Sequence, residues 1–219
     1  MRYILTLVWV VICGCCLAQD PWKNIYSQHA WAERDKWQRA DELISLLDIE
    51  TGATVADIGC HEGYMTFKLA RRVGKDGIVY AVDLSASKLE KVKARADENK
   101  ITQIKILKGD EDDPKLPDGT LDAVMILDTY HEMDAHEEIL QHIKRSLKPN
   151  GRLVICEPIA EARRKLSRVE QEKKHELSME NALNDLRNAG FEIRYQKDPF
   201  IDRTKEKGDK MWVVVAVKE

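Results

Sequence analysis

Apolar residues along the chain follow two alternating rhythms. Short continuous apolar runs stand between longer stretches in which apolar residues return every three or four positions. Strand and helix in repeated alternation predict a parallel sheet with helices on both faces. Thr54–Ile58, Gly77–Val82 ending at Asp83, Ile104–Leu107, Leu121–Leu127 and Arg152–Cys156 read as five buried strands. Trp22 to Leu47 reads as helical, with Trp31, Trp37, Leu43, Ile44 and Leu47 as its apolar positions. Tyr64–Val73 predicts a second helix. Ser85 caps a third that runs to about Asn99, with Leu89 and Val92 facing inward. Ala135–Leu147 predicts a fourth, closed by Pro149-Asn150-Gly151. After a charged excursion, Ser178–Ala189 predicts a helix ended by Gly190, a natural left-handed cap. Phe191–Gln196 and Met211–Val217 follow with no helix between them, which predicts an antiparallel hairpin. The sum is an α/β fold: a seven-stranded, mostly parallel sheet whose last strand is antiparallel.

The first 18 residues break this rhythm. Arg2 is the only charge before Asp20, the run from Ile4 to Ile12 is apolar, and small residues follow up to Ala18. These are the parts of an export signal, and the run is short for a membrane span. Cys16-Leu17-Ala18 fits a cleavage site that leaves Gln19 as the new N-terminus. Ile12-Cys13-Gly14-Cys15 weakly resembles a lipoprotein box, in which Cys15 would carry lipid and tie the protein to a membrane; Cys13 is unusual there, which favours simple cleavage. The reading is therefore a leader (1–18), a helical lid (19–50) and one domain (51–219), in a periplasmic or secreted protein.

Charge narrows the partners. Of 35 basic residues one, Arg2, lies in the leader, so 34 remain against 38 acidic residues, a net of −4. A nucleic-acid backbone demands a concentrated basic face, and the basic residues Arg163-Arg164-Lys165 and Lys173-Lys174 are interleaved with Glu161, Glu170 and Glu172. Three of the five cysteines sit in the leader; Cys60 and Cys156, at strand ends, read as buried thiols rather than a disulfide scaffold. No His/Cys/carboxylate spacing marks a metal site, and nothing in the pattern specifies an oligomeric state.

Candidate chemistry gathers at strand ends, where ligands bind in open α/β sheets. Asp57-Ile58-Gly59-Cys60-His61-Glu62-Gly63 joins a strand to a helix through a glycine turn that lets backbone N–H groups approach a ligand. Its G-x-x-x-G spacing departs from the dinucleotide G-x-G-x-x-G, and Asp57 suits a cationic amino group better than a pyrophosphate. Asp83, followed by Leu84, can accept two ribose hydroxyls. Asp110 and Glu111 follow the third strand, where Asp110 can accept from an adenine amino group. Asp122 opens the fourth strand, which ends in Asp128-Thr129-Tyr130-His131-Glu132.

Asp57-Ile58-Gly59-Cys60-His61-Glu62-Gly63 resembles the first motif of class I methyltransferases, and Asp83 matches their acidic second motif. Leu121–Leu127 together with Leu147-Lys148-Pro149-Asn150-Gly151-Arg152-Leu153 is similar to their strand-four and strand-five region. The resemblance, over about Trp37 to Glu219, implies strand order 3-2-1-4-5-7-6 and S-adenosylmethionine as cofactor, with Asp57, Gly59, His61, Gly63, Asp83, Leu84, Asp110, Glu111 and Asp128 around it. His61 stands where the family usually has glycine, and Asn150 replaces the first of two glycines. The strand-four end lacks the Asn/Asp-Pro-Pro-aromatic motif of enzymes that methylate amino groups of nucleic acids or protein glutamine. A small-molecule acceptor follows, with His131 as base, Tyr130 orienting the acceptor, and His175 and Glu157-Pro158 on the substrate side. Trp31, Arg34 and Trp37 would lie over the cofactor. Two other classes remain open at this point: an exported protein that binds S-adenosylmethionine or another metabolite without catalysis, and a nicotinamide-dependent oxidoreductase, which the G-x-x-x-G spacing and the final hairpin disfavour.

Overall fold

The computed structural model describes residues 29–219; the expected leader, residues 1–18, lies outside the described residues. Within them the strands are β1 (Thr54–Ile58), β2 (Ile78–Asp83), β3 (Ile104–Lys108), β4 (Leu121–Leu127), β5 (Leu147–Ile159), β6 (Glu192–Arg203) and β7 (Asp209–Val217). They form one sheet of order β3-β2-β1-β4-β5-β7-β6. β7 runs antiparallel to both of its neighbours, and the other neighbouring pairs are parallel. The expected order and hairpin are therefore present.

Period two along each strand divides the core between the two faces. Val55, Ala123, Met125, Val154, Val213 and Val215 point to one face. There they pack against α1 (His29–Asp35), α2 (Ala40–Leu46), α3 (Tyr64–Val73) and α4 (Ala86–Glu98). Their neighbours Ala56, Val124, Ile126, Ile155, Trp212 and Val214 point to the other face. That face is covered by α5 (His136–Ser146) and α7 (Met179–Asn188). Ser85 caps α4 by accepting from the Lys88 N–H.

Four details depart from the expectation. The N-terminal helical segment is two short helices separated at Arg39, whose φ is +51°; residues 22–28 of the expected helix lie outside the described residues. The charged excursion contains an extra one, α6 (Arg168–Glu172), opened by a Ser167–Glu170 capping box. The hairpin carries a one-turn helix, α8 (Thr204–Lys207), at its tip. β5 begins at Leu147, not Arg152, with a register shift against β4 between Leu121 and Ala123. Asn150, at φ +64°, provides the left-handed residue of that irregularity. No helix among the described residues is long and apolar enough to cross a membrane.

Candidate active site

Register places the strand ends side by side: Ile58 of β1 pairs with Val82 of β2 and with Ile126 of β4. Beyond these ends lies a cavity of about 820 Å³, within the usual range for a small-molecule site. Asp57, Gly59, His61, Asp83, Leu84, Asp110, Glu111 and Asp128, eight of the residues expected around a cofactor, line it. Gly63 does not. It caps α3 at φ +94° and donates its N–H to Cys60 O at 2.8 Å, so its part is to turn the chain.

The loop after β1 is held close. Gly59 has φ +72°, and a Cβ there would overlap the Thr129 side chain at the end of β4. His61 adopts φ +51°, which explains the usual glycine. Its N–H donates to Asp83 Oδ2 at 2.9 Å, while Asp83 Oδ1 accepts from the Ser85 N–H at 2.9 Å. The Asp83 carboxylate is thus fixed at the cavity wall. Beside it Leu84 is 54 % exposed, an apolar surface suited to a flat ring. Asp110 reaches the same wall and pairs with Lys115 at 2.8 Å.

At the other end, Asp57 is buried and accepts from the Thr66 hydroxyl at 2.6 Å. Burial pushes its pKa up to about 6, opposed by the Thr66 hydrogen bond and by Arg34. Arg34 extends from α1 over the Tyr64 ring, 4.2 Å from its centroid, with Nε donating to Gln38 at 2.8 Å. Burial lowers its pKa, while Tyr64, Asp128 and Asp57 pull the other way. A buried anion and a half-buried cation thus face one end of one cavity, a donor set matched to a zwitterionic amino acid. Trp31 divides its surface between the cavity and the core, meeting Tyr64 edge-on at 5.8 Å. Asp128, at φ +57°, pairs at 2.8 Å with Arg203 from the end of β6, and Arg203 also holds Asp209. Neither Arg203 nor the approach of Arg34 to the Asp57 end of the cavity is visible in sequence spacing; the long separations along the chain hide them.

His131 lies in the 3₁₀ turn Tyr130–Glu132 that follows β4. Its Nδ1 meets Glu157 Oε2 at 2.5 Å, and Glu157 Oε1 accepts the backbone N–H groups of Thr129 and Tyr130 at 2.6 and 2.9 Å. Burial draws the His131 pKa down, but the hydrogen bond and charge of Glu157 outweigh it and leave the imidazole above its ordinary value. Glu132, not His131, touches the cavity; the His131 Nε2 stands behind it at 3.8 Å. Tyr130 corrects the expectation that it orients an acceptor. It is fully buried beneath the sheet, its hydroxyl donates to Asp185 of α7 at 3.0 Å, and burial raises its pKa. Asp122 sits at the opposite end of β4, where it accepts from the Thr54 N–H and from Lys148. Cys60 and Cys156 are free, and burial raises both thiols.

A mostly parallel sheet with a cavity outside the carboxyl ends of its parallel strands and an acidic residue closing β2 defines a Rossmann-like α/β protein with a site for a nucleoside-bearing ligand. The chain belongs to the methyltransferase-domain family, whose model matches residues 49–211. It is 29 % identical over 123 residues to nocamycin O-methyltransferase of Saccharothrix syringae, covering 55 % of this chain and 43 % of that one. It is 32 % identical over 128 residues to a demethylmenaquinone methyltransferase of Lactococcus lactis, covering 58 % and 50 %. The chain thus spans about half the length of these curated relatives. Among solved structures, a SAM-dependent methyltransferase from Aquifex aeolicus superposes with TM-score 0.71 at 23 % identity, covering 91 % of this chain and 99 % of that one. Geranyl diphosphate C-methyltransferase from Streptomyces coelicolor gives TM-score 0.70 at 19 % identity, covering 83 % and 76 %.

Proposed function

We propose that the chain transfers a methyl group from S-adenosylmethionine to a small-molecule acceptor outside the cytoplasm. The observation that carries this reading is the ordered wall of one cavity. Arg34 and Asp57 suit the carboxylate and ammonium of a methionine moiety, Asp83 suits a ribose diol, and Leu84 and Asp110 suit an adenine face and edge. The named relatives support the acceptor class, since nocamycin and demethylmenaquinone enzymes act on small molecules.

S-adenosylmethionine, when bound, supplies a methyl group already activated on a sulfonium, so much of the work left to the protein is positioning. Arg34 and Asp57 anchor one end of the ligand, and Asp83 fixes the middle. Asp57 must be ionised to hold an ammonium; a cation beside it restores the charge that burial disfavours. Trp31 and α1 cover the site and exclude water. Glu157 fixes the His131 ring through Nδ1, leaving Nε2 to accept the proton of a hydroxyl or acidic carbon that enters along Glu132. Residues 1–18 act as the export signal, with Gln19 as the new N-terminus.

Calorimetric titration of the full chain with S-adenosylmethionine and with its demethylated product tests the assignment. Binding on the order of micromolar is expected, weakened at least tenfold in Asp83→Ala, which removes two ribose acceptors worth about 1.4 kcal/mol or more. No binding to either compound overturns it.

A further inference from the structure

Two neighbours in sequence, His131 and Glu132, and a third residue more than forty positions on, His175, converge beside the cavity. The rings of His131 and His175 meet edge-on, 5.7 Å between centroids. Between them stands the Glu132 carboxylate, whose Oε1 lies 3.8 Å from His131 Nε2 and 3.4 Å from His175 Nδ1. The three donor atoms all lie within 4.8 Å of one another. An ion held tetrahedrally at zinc–nitrogen and zinc–oxygen bond lengths keeps its ligand atoms about 3.4 Å apart. One edge of the triangle therefore already has the required length, and a second is a few tenths of an ångström longer.

The three residues divide into a fixed ligand and two adjustable ones. The His131 side chain is 3 % exposed and is pinned through Nδ1 by Glu157, itself fully buried. A carboxylate on the far nitrogen is the usual support of a metal-bound imidazole, since it sets the ring and the tautomer. Glu132 and His175 are 60 % and 75 % exposed, so small side-chain rotations can bring them onto an ion. The loop that presents His175 is itself anchored. His175 has φ +55°, and the following Glu176 carboxylate accepts from the Ala160 N–H at 3.1 Å and from Arg163 at 2.7 Å. A mere ion pair would need one imidazole; here two converge on a single carboxylate oxygen. The deeper trio Asp128, His131 and Glu157 is also compact, but Arg203 occupies Asp128, and the Thr129 and Tyr130 N–H groups occupy Glu157.

We propose that His131 Nε2, Glu132 and His175 Nδ1 form a binding site for a divalent transition ion of the zinc class at the rim of the cavity, with its fourth position open. Two imidazoles and one carboxylate select such borderline ions over magnesium or calcium, which take oxygen ligands. The site stands on this geometry and not on the proposed methyl transfer; an ion and a proton would compete for the same nitrogen of His131.

The test uses the full chain free of any polyhistidine tag, titrated calorimetrically with zinc chloride. Its counterpart follows the visible absorption of cobalt(II) taken up in place of zinc. One ion per chain is expected, bound at least tenfold more weakly by His175→Ala and by Glu132→Ala, both exposed positions whose truncation spares the packed core. Cobalt absorption should be strong in the parent and lost in His175→Ala. No uptake of either metal, or uptake unchanged by His175→Ala, overturns the site.

Discussion

Glu157 raises the basicity of His131. The carboxylate raises the affinity of the imidazole for a proton against the effect of burial, and a base must be neutral before it can act. The rate of methyl transfer should therefore rise with pH through a midpoint above the ordinary histidine value of 6.5. Glu157→Gln removes the anion, so the rising limb should move to lower pH and the plateau should fall at least tenfold. A limb that stays in place would remove His131 from the base role. The stability sign is the reverse. A folded-state pKa above the unfolded one stabilises below about pH 6.5, and that contribution is lost as pH rises through the folded value. His131 was legible in sequence because it follows an apolar strand in a polar cluster. Its partner was legible only as a residue at the end of the next strand, because the contact spans 26 positions.

The 3₁₀ turn Tyr130–Glu132 shows what adjacency in sequence conceals. At three residues per turn, successive side chains point about 120° apart. Tyr130 goes under the sheet to Asp185, His131 to Glu157, and Glu132 to the cavity. Tyr130 and His131 could act as a catalytic pair only if their side chains shared a direction, and they do not. Tyr130→Phe should cost about 1 kcal/mol in urea unfolding through loss of the hydrogen bond to Asp185, yet leave KM for the acceptor unchanged. A large rise in KM without loss of stability would restore the acceptor role. Other elements do carry a local sign in the sequence. Ser167-Arg168-Val169-Glu170 has the S-x-x-E spacing of the capping box that starts α6. Arg39 carries no such sign: nothing in its local sequence announces a left-handed break between α1 and α2.

At the scale of the molecule, alternating periods made the sheet legible, because each strand with its helix buries its own apolar stripe. Val213 and Val214 already belong to opposite faces by parity alone. The strand order came from the family resemblance, and long-range partners such as Arg203 with Asp128 required the fold. The proposed export signal predicts a processed chain: the intact mass of the mature protein should correspond to a start at Gln19, whereas a start at a lipid-bearing Cys15 would mean cleavage at the lipoprotein box and membrane anchoring. One feature of the sheet bears on how such a chain is made. β7 follows β6 in sequence yet sits between β5 and β6. A nascent chain that has reached Arg203 already carries every residue of the cavity wall, but β5 has an open edge and Arg203 lacks Asp209. Until residues 209–217 insert, that edge is open to pairing with another chain. Synthesis of the ligand site and its closure are therefore separate events, and the interval between them is when a chaperone or export factor would find the chain still unlocked.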